Sequence, residues 1–109
     1  MPTTYKVLGQ SNPSATTATT LYTVPSATQS IVSTITVCNQ AATAGTYRIA
    51  VRVAGAALAA NQYVAYDVSL PANTTDTLTL GVTLAATDVI TVYASSANFS
   101  FNAYGSEIA

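Results

Sequence analysis

Between Ser33 and Val53 the chain reads STITVCNQAATAGTYRIAVRV, a stretch that holds its single cysteine, Cys38, and both of its arginines, Arg48 and Arg52. A thiol near two permanent cations could hold an anion or, given a base, act as a nucleophile. No histidine is present among the 109 residues, which removes the commonest general base and metal ligand. Cys38 therefore reads as a small packing hydrophobe at a strand end. Arg48 and Arg52, four residues apart, share one face of an extended strand at a separation of about 13 Å. They are the candidate intersubunit contact, placed to grip a carboxylate on a neighbouring subunit. The other reading is a solvated outer face whose aliphatic stems cover apolar neighbours.

The remaining polar residues offer little chemistry. Asp67, Asp76 and Asp88 are too widely spaced for a calcium loop, which gathers its oxygen ligands in one turn. Asp76 sits just before a predicted strand and Asp88 at the start of one, where an Asx turn is expected. The glycines are scattered and none leads a strand into a helix, so no phosphate cradle is predicted. Asn73-Thr74-Thr75 and Asn98-Phe99-Ser100 fit the glycosylation tripeptide, a pattern that chance supplies in a chain rich in Thr and Ser. The opening MPTTYKVLGQ lacks the apolar run of a secretory signal. No catalytic, cofactor-binding or metal-binding residue is assigned, and the expectation is a protein that is not an enzyme.

Composition says what kind of surface surrounds these residues. Charged residues make up 6% of the chain, against about 25% in average soluble domains. Disorder does not account for this, because disordered chains are poor in β-branched and aromatic residues. No run approaches the ~20 apolar residues of a membrane-spanning helix. The net charge of −1 points to neither nucleic acid nor an anionic membrane as partner. An uncharged surface of Thr, Ser, Ala, Asn and Gln suits a protein packed among other subunits, since buried interface is likewise depleted in charge.

The elements that position these residues are strands. Thr, Val, Ile and Tyr dominate and alternate in the strand period. Eight extended segments are predicted: Thr4–Leu8, Thr20–Val24, Ser30–Cys38, Thr46–Val53, Gln62–Leu70, Thr77–Leu84, Asp88–Ala94 and Asn98–Tyr104. Turn-like breaks separate them, and the one Ala-rich segment, AGAALAAN, reads as a loop rather than a helix. Short strands at near-regular spacing predict an all-β fold: a single antiparallel β-sandwich of about 7–8 strands, jelly-roll-like or immunoglobulin-like. Residues 1–20 read as an extended N-terminal arm or edge strand, and residues 21–109 as the sandwich domain.

Parity assigns the faces. Tyr47, Ile49, Val51 and Val53 oppose Arg48, Ala50 and Arg52. Ile31, Ser33, Ile35 and Val37 oppose Val32, Thr34, Thr36 and Cys38. Leu78, Leu80, Val82 and Leu84 form one apolar row, and Val64, Tyr66, Val68 and Leu70 another. Residues Val89 to Val92 are apolar on both faces, as in a central strand, and Phe99 and Phe101 share a face with Ala103.

The phrases TLYTVPSATQSIVSTITVCNQ, TYRIAVRVAG and LPANTTDTLTLGVTLAATDVITVYASSANFSFNAYGSEI together resemble small β-sandwich structural proteins of tailed bacteriophages, cyanophages in particular. The resemblance spans nearly the whole chain after Leu21. It rests on Val24-Pro25, the strand ending in Cys38-Asn39, the arginine strand, Leu84 to Asp88, and Phe99-x-Phe101 with Gly105. It implies assembly into a virion, put together in the host cytoplasm, and brings no catalytic residues. The implied role is a capsid decoration or cement protein. Its partners would be copies of itself, as a homotrimer, and major capsid or other virion proteins, with no cofactor, membrane, nucleic acid or small-molecule substrate. A neck, tail or fibre-associated subunit is the alternative. A carbohydrate- or receptor-binding module at a fibre tip is a further one, which requires an exposed tyrosine cluster around a concave site. Seven tyrosines leave that open, although interface or core use is the favoured account of them.

Overall fold

The computed structural model describes residues 2–109, in which eight strands lie close to where the alternation places them. They are β1 (Thr3–Ser11), β2 (Thr19–Thr23), β3 (Gln29–Asn39), β4 (Gly45–Arg52), β5 (Tyr63–Leu70), β6 (Thr74–Leu84), β7 (Val89–Ala94) and β8 (Phe99–Ile108). The AGAALAAN segment is a loop carrying two single 3-10 turns, Val53–Gly55 and Ala60–Gln62.

Two four-stranded antiparallel sheets face each other, in the orders β1-β8-β3-β6 and β2-β7-β4-β5. The pairing has one rule: β4 pairs with β5, β3 with β6, β2 with β7 and β1 with β8. The chain is thus one long antiparallel ribbon, folded back at the β4–β5 connection and rolled so that alternate strand pairs land in opposite sheets. This is the jelly roll, not the immunoglobulin arrangement. β1 is an edge strand hydrogen-bonded to β8 from Thr3 to Ser11, so this segment is held within its own sheet. β7 lies between β2 and β4, as its double-sided apolar pattern requires.

The core between the sheets is built from Val32, Ile35, Val37, Tyr47, Ile49, Ile90, Val92, Phe99 and Phe101, with Leu21, Val24, Leu70 and Leu84 at its margins. Tyr47 meets Phe101 edge-on, with ring centroids 6.2 Å apart and planes at 72°. Such pairs add about 0.5–1.5 kcal/mol beyond their burial.

Parity fails in four places, each for a backbone reason. In β3 the register with β8 slips at Ser33, so Val32 is buried and Ile31 points out, the reverse of the alternation. In β6 Leu80 and Gly81 together oppose that same residue. Gly81 adopts φ +63°, and Leu80 leaves its apolar row for solvent. In β5 the register with β4 slips twice and Asp67 sits at φ +49°. Val64 and Tyr66 are therefore exposed, while Ala65 packs against the core. Val53, expected to close the β4 row, lies in the 3-10 turn and is exposed, because Ala54 at φ +54° bends the chain away. In β3 and β5 the bulge shifts the alternation by one residue and transfers everything beyond it to the other face. In β6, by contrast, Leu78, Val82 and Leu84 stay inward and Leu80 alone is displaced.

All four edge strands, β1, β2, β5 and β6, carry such a bulge. Bulged edges are poor templates for strand addition by another chain.

Candidate functional site: the outer faces of the sandwich

Each of the seven charged side chains has a polar partner inside the chain. On the outer face of the second sheet, Arg48 donates from Nε to Asp67 Oδ1 at 2.6 Å and from Nη2 to Oδ2 at 3.3 Å. Its guanidinium also lies 4.3 Å from the ring centroids of both Tyr66 and Tyr93. Arg48 stands opposite Tyr93 in the β4–β7 register, so a tyrosine–arginine–tyrosine stack crosses β5, β4 and β7. The hydrogen bond to Asp67 is the main cause holding the guanidinium pKa above its ordinary value.

Arg52 turns the other way. Its Nε and Nη2 donate to the carbonyls of Ala56 at 2.7 Å and Gly55 at 2.9 Å, and Nη1 reaches Thr91 Oγ1 at 3.4 Å. The two arginines share the outer face as their spacing predicts, yet the donors named here are engaged within the chain. Ala50 and Thr91, on the same outward rows, are only 1% and 5% exposed. That burial fits side-chain stems lying over apolar neighbours.

The acids are equally committed. Asp88 accepts the N–H of Ala54 at 2.8 Å and of Ala85 at 2.9 Å, tying the 3-10 turn to the β6–β7 turn. Asp76 lies inside β6 rather than before it, and accepts the Tyr47 hydroxyl at 2.9 Å. Glu107 accepts the Tyr22 hydroxyl at 2.5 Å and pairs with Lys6 at 2.9 Å. The hydrogen bond from Lys6, followed by that from Tyr22, holds the Glu107 pKa below the ordinary carboxylate value. Burial first, and then the Glu107 hydrogen bond, pushes Tyr22 up to about 12. Among the described residues no three His, Cys, Asp or Glu side chains cluster as metal ligands would.

Sequence reasoning missed Asn39 as a structural residue. It is fully buried at the end of β3, and its amide donates to the carbonyls of Thr43, Leu70 and Pro71 while its oxygen accepts from Ala41. One side chain thereby fixes the β3–β4 loop and the β5–β6 turn. A buried Asn is stable only with such a full set of partners. The signal available in sequence was its polarity at an inward parity position after Val37.

The outer face of the first sheet has a different character. Register places Tyr5, Ser106, Ile31 and Thr83 in one row across the four strands, and Val7, Tyr104, Thr34 and Thr79 in the next. Tyr5, Val7, Ile31 and Tyr104 are exposed there. The rows beyond carry Gln10, Asn102, Thr36 and Thr77, and then Ser100, Cys38 and Thr75. Cys38 is therefore half-buried on this outer face and not a core residue. No charged side chain stands in these rows.

The second sheet also has a concavity beside its aromatic stack. Leu58, Ala59, Ala60, Tyr63 and Tyr66 line an open hollow of about 580 Å³. Tyr63 meets Tyr66 edge-on, with centroids 4.9 Å apart and planes at 79°.

Comparison of the chain with protein-family models, with curated proteins and with solved structures yields no match.

Proposed function

We propose that the chain is a non-enzymatic structural subunit of a phage virion, and within the virion a capsid decoration protein. In this reading it docks as a homotrimer on neighbouring major capsid subunits and stabilises the shell. The observation that carries the proposal is the outer face of the first sheet. Tyr5, Val7, Ile31 and Tyr104 are exposed across it without one charged residue in its rows. Contiguous exposed apolar surface marks an interaction site, and the interior of an interface is depleted in charge and enriched in aromatics.

Two further points support the reading. The internal pairing of the charged side chains leaves little for recognition by charge, so attachment would rest on shape, apolar burial and hydroxyl contacts. The jelly roll is a fold used in viral capsids, although fold alone assigns no function. The resemblance in sequence to tailed-phage structural proteins supplies the specific assignment.

Quantitative mass spectrometry of purified virions tests it. A copy number comparable to that of the major capsid protein is expected. A handful of copies would move the protein to the neck, tail or fibre, and no copies would reject a virion role altogether.

A further inference from the structure

We infer that the hollow bounded by Tyr63, Tyr66 and the Leu58–Ala60 wall binds a neutral sugar ring. The site is pre-organised. Tyr66 is 57% exposed, yet the Arg48 guanidinium lies 4.3 Å from its ring centroid and Tyr63 packs against it. Asp67, the next residue, fixes Arg48 with two hydrogen bonds. Little ordering of the aromatic groups is then left to oppose binding.

The wall is held as firmly. Arg52 fastens the carbonyls of Gly55 and Ala56, and Asp88 accepts the N–H of Ala54. The Gln62 side chain accepts from the N–H of Ala59 at 2.8 Å and donates to the carbonyl of Ala57 at 3.0 Å. A loop with no buried residue in either 3-10 turn is thus pinned from three sides by side chains.

Charge selects the ligand class. The ionised groups at the rim, Arg48 and Asp67, neutralise each other in a two-bond pair, so neither an anion nor a cation gains a free counter-charge there. The phenol hydroxyls of Tyr63 and Tyr66 donate to no group among the described residues, unlike those of Tyr22 and Tyr47. A pyranose presents an apolar C–H face to an aromatic ring and hydroxyls around its edge, which matches aromatic surface rimmed by free phenols. An extended peptide would add to the neighbouring edge of β5, but two register shifts interrupt that edge.

The site lies on the second sheet, opposite the face proposed to dock, so it stands or falls independently of the virion role. Protein-observed NMR on the isolated chain tests it, with methyl glucoside, methyl galactoside, methyl mannoside and cellobiose as probes. At least one should shift the amides of Leu58 to Asp67, saturating in the millimolar range. Tyr66→Phe keeps the ring and should bind within about threefold of the parent, whereas Tyr66→Ala should weaken binding at least about tenfold. Ala60→Glu, which fills the hollow and leaves the aromatic residues in place, should do the same, and Tyr5→Ala on the opposite sheet should have no effect. The inference is overturned if none of the four sugars shifts these amides at ~50 mM, or if Tyr66→Ala and Ala60→Glu both bind like the parent. Shifts produced only by a neutral Gly-Tyr-Gly peptide would overturn it equally.

Discussion

The Tyr47 hydroxyl donates to Asp76 Oδ2 at 2.9 Å, and through that bond β4 of one sheet is tied to β6 of the other. Tyr22 and Glu107 form a second tie of the same kind between β2 and β8. Two of the chain's four acids are thus used to fasten the sheets together.

Tyr47→Phe isolates the first tie, because it keeps the ring that packs on Phe99 and Phe101. It removes the donor and leaves a partly buried carboxylate short of a partner. The expected loss is about 1–3 kcal/mol, measured by urea denaturation. A combined Tyr47→Phe and Asp76→Val variant should recover part of it, since removing both polar partners costs less than orphaning one.

Stability should fall at both ends of the pH scale. The Glu107 pKa is lowered in the folded chain, so its contribution is complete above the unfolded glutamate value of about 4.3. That contribution is lost as pH falls through the lower folded value. Tyr22, raised to about 12, contributes fully below the unfolded tyrosine value of about 10. Its share is lost as pH rises through about 12, and Tyr47, also raised, acts in the same direction. Denaturation midpoints across pH should show both limbs, with Glu107→Gln flattening the acid limb and Tyr22→Phe the alkaline one.

Two glycines separate crowding from conformation. A Cβ on Gly105 would lie 1.9 Å from the Ile31 carbonyl oxygen, so β8 and β3 could not keep their spacing. A Cβ on Gly81 meets nothing within 4 Å, but the residue sits at φ +63°. Gly105→Ala should therefore cost about 3 kcal/mol or more, and Gly81→Ala only about 1–2 kcal/mol. Chemical denaturation of the two variants side by side checks the order.

Arg52→Ala should loosen the Val53–Gln62 loop while the sheets persist. The amides of Ala56 and Gln62, hydrogen-bonded to Val53 and Ala59, should then exchange with solvent at least about tenfold faster. Unchanged exchange in this variant, together with loss of particle attachment in Arg48→Ala with Arg52→Ala, would return both arginines to the intersubunit contact their spacing suggests.

The strands were legible because nearly every inward position is Val, Ile, Leu or aromatic and the turns carry Pro, Asn, Asp or small residues. The strand order was not, since the jelly roll is decided by which pairs land in which sheet, and alternation is the same in either sandwich. Bulges were the other loss. Ser33 gives no sign in sequence that it will be passed over, and from there Ile31 and Val32 exchange faces. Gly81 was a visible hint and Asp67 a weaker one. The arginines' face followed from parity, but not their partners: Tyr93 reaches Arg48 across the sheet, and Tyr66 and Asp67 do so only because β5 bulges.

In the proposed role, the uncharged outer face of the first sheet is buried against another virion subunit. A residue-level reconstruction of the virion shows what covers that face. Density for this jelly roll is expected with Tyr5, Ile31 and Tyr104 covered by a neighbouring subunit and the second sheet facing outward. A particle that lacks the protein, or one that carries it with those three residues open to solvent, would contradict it.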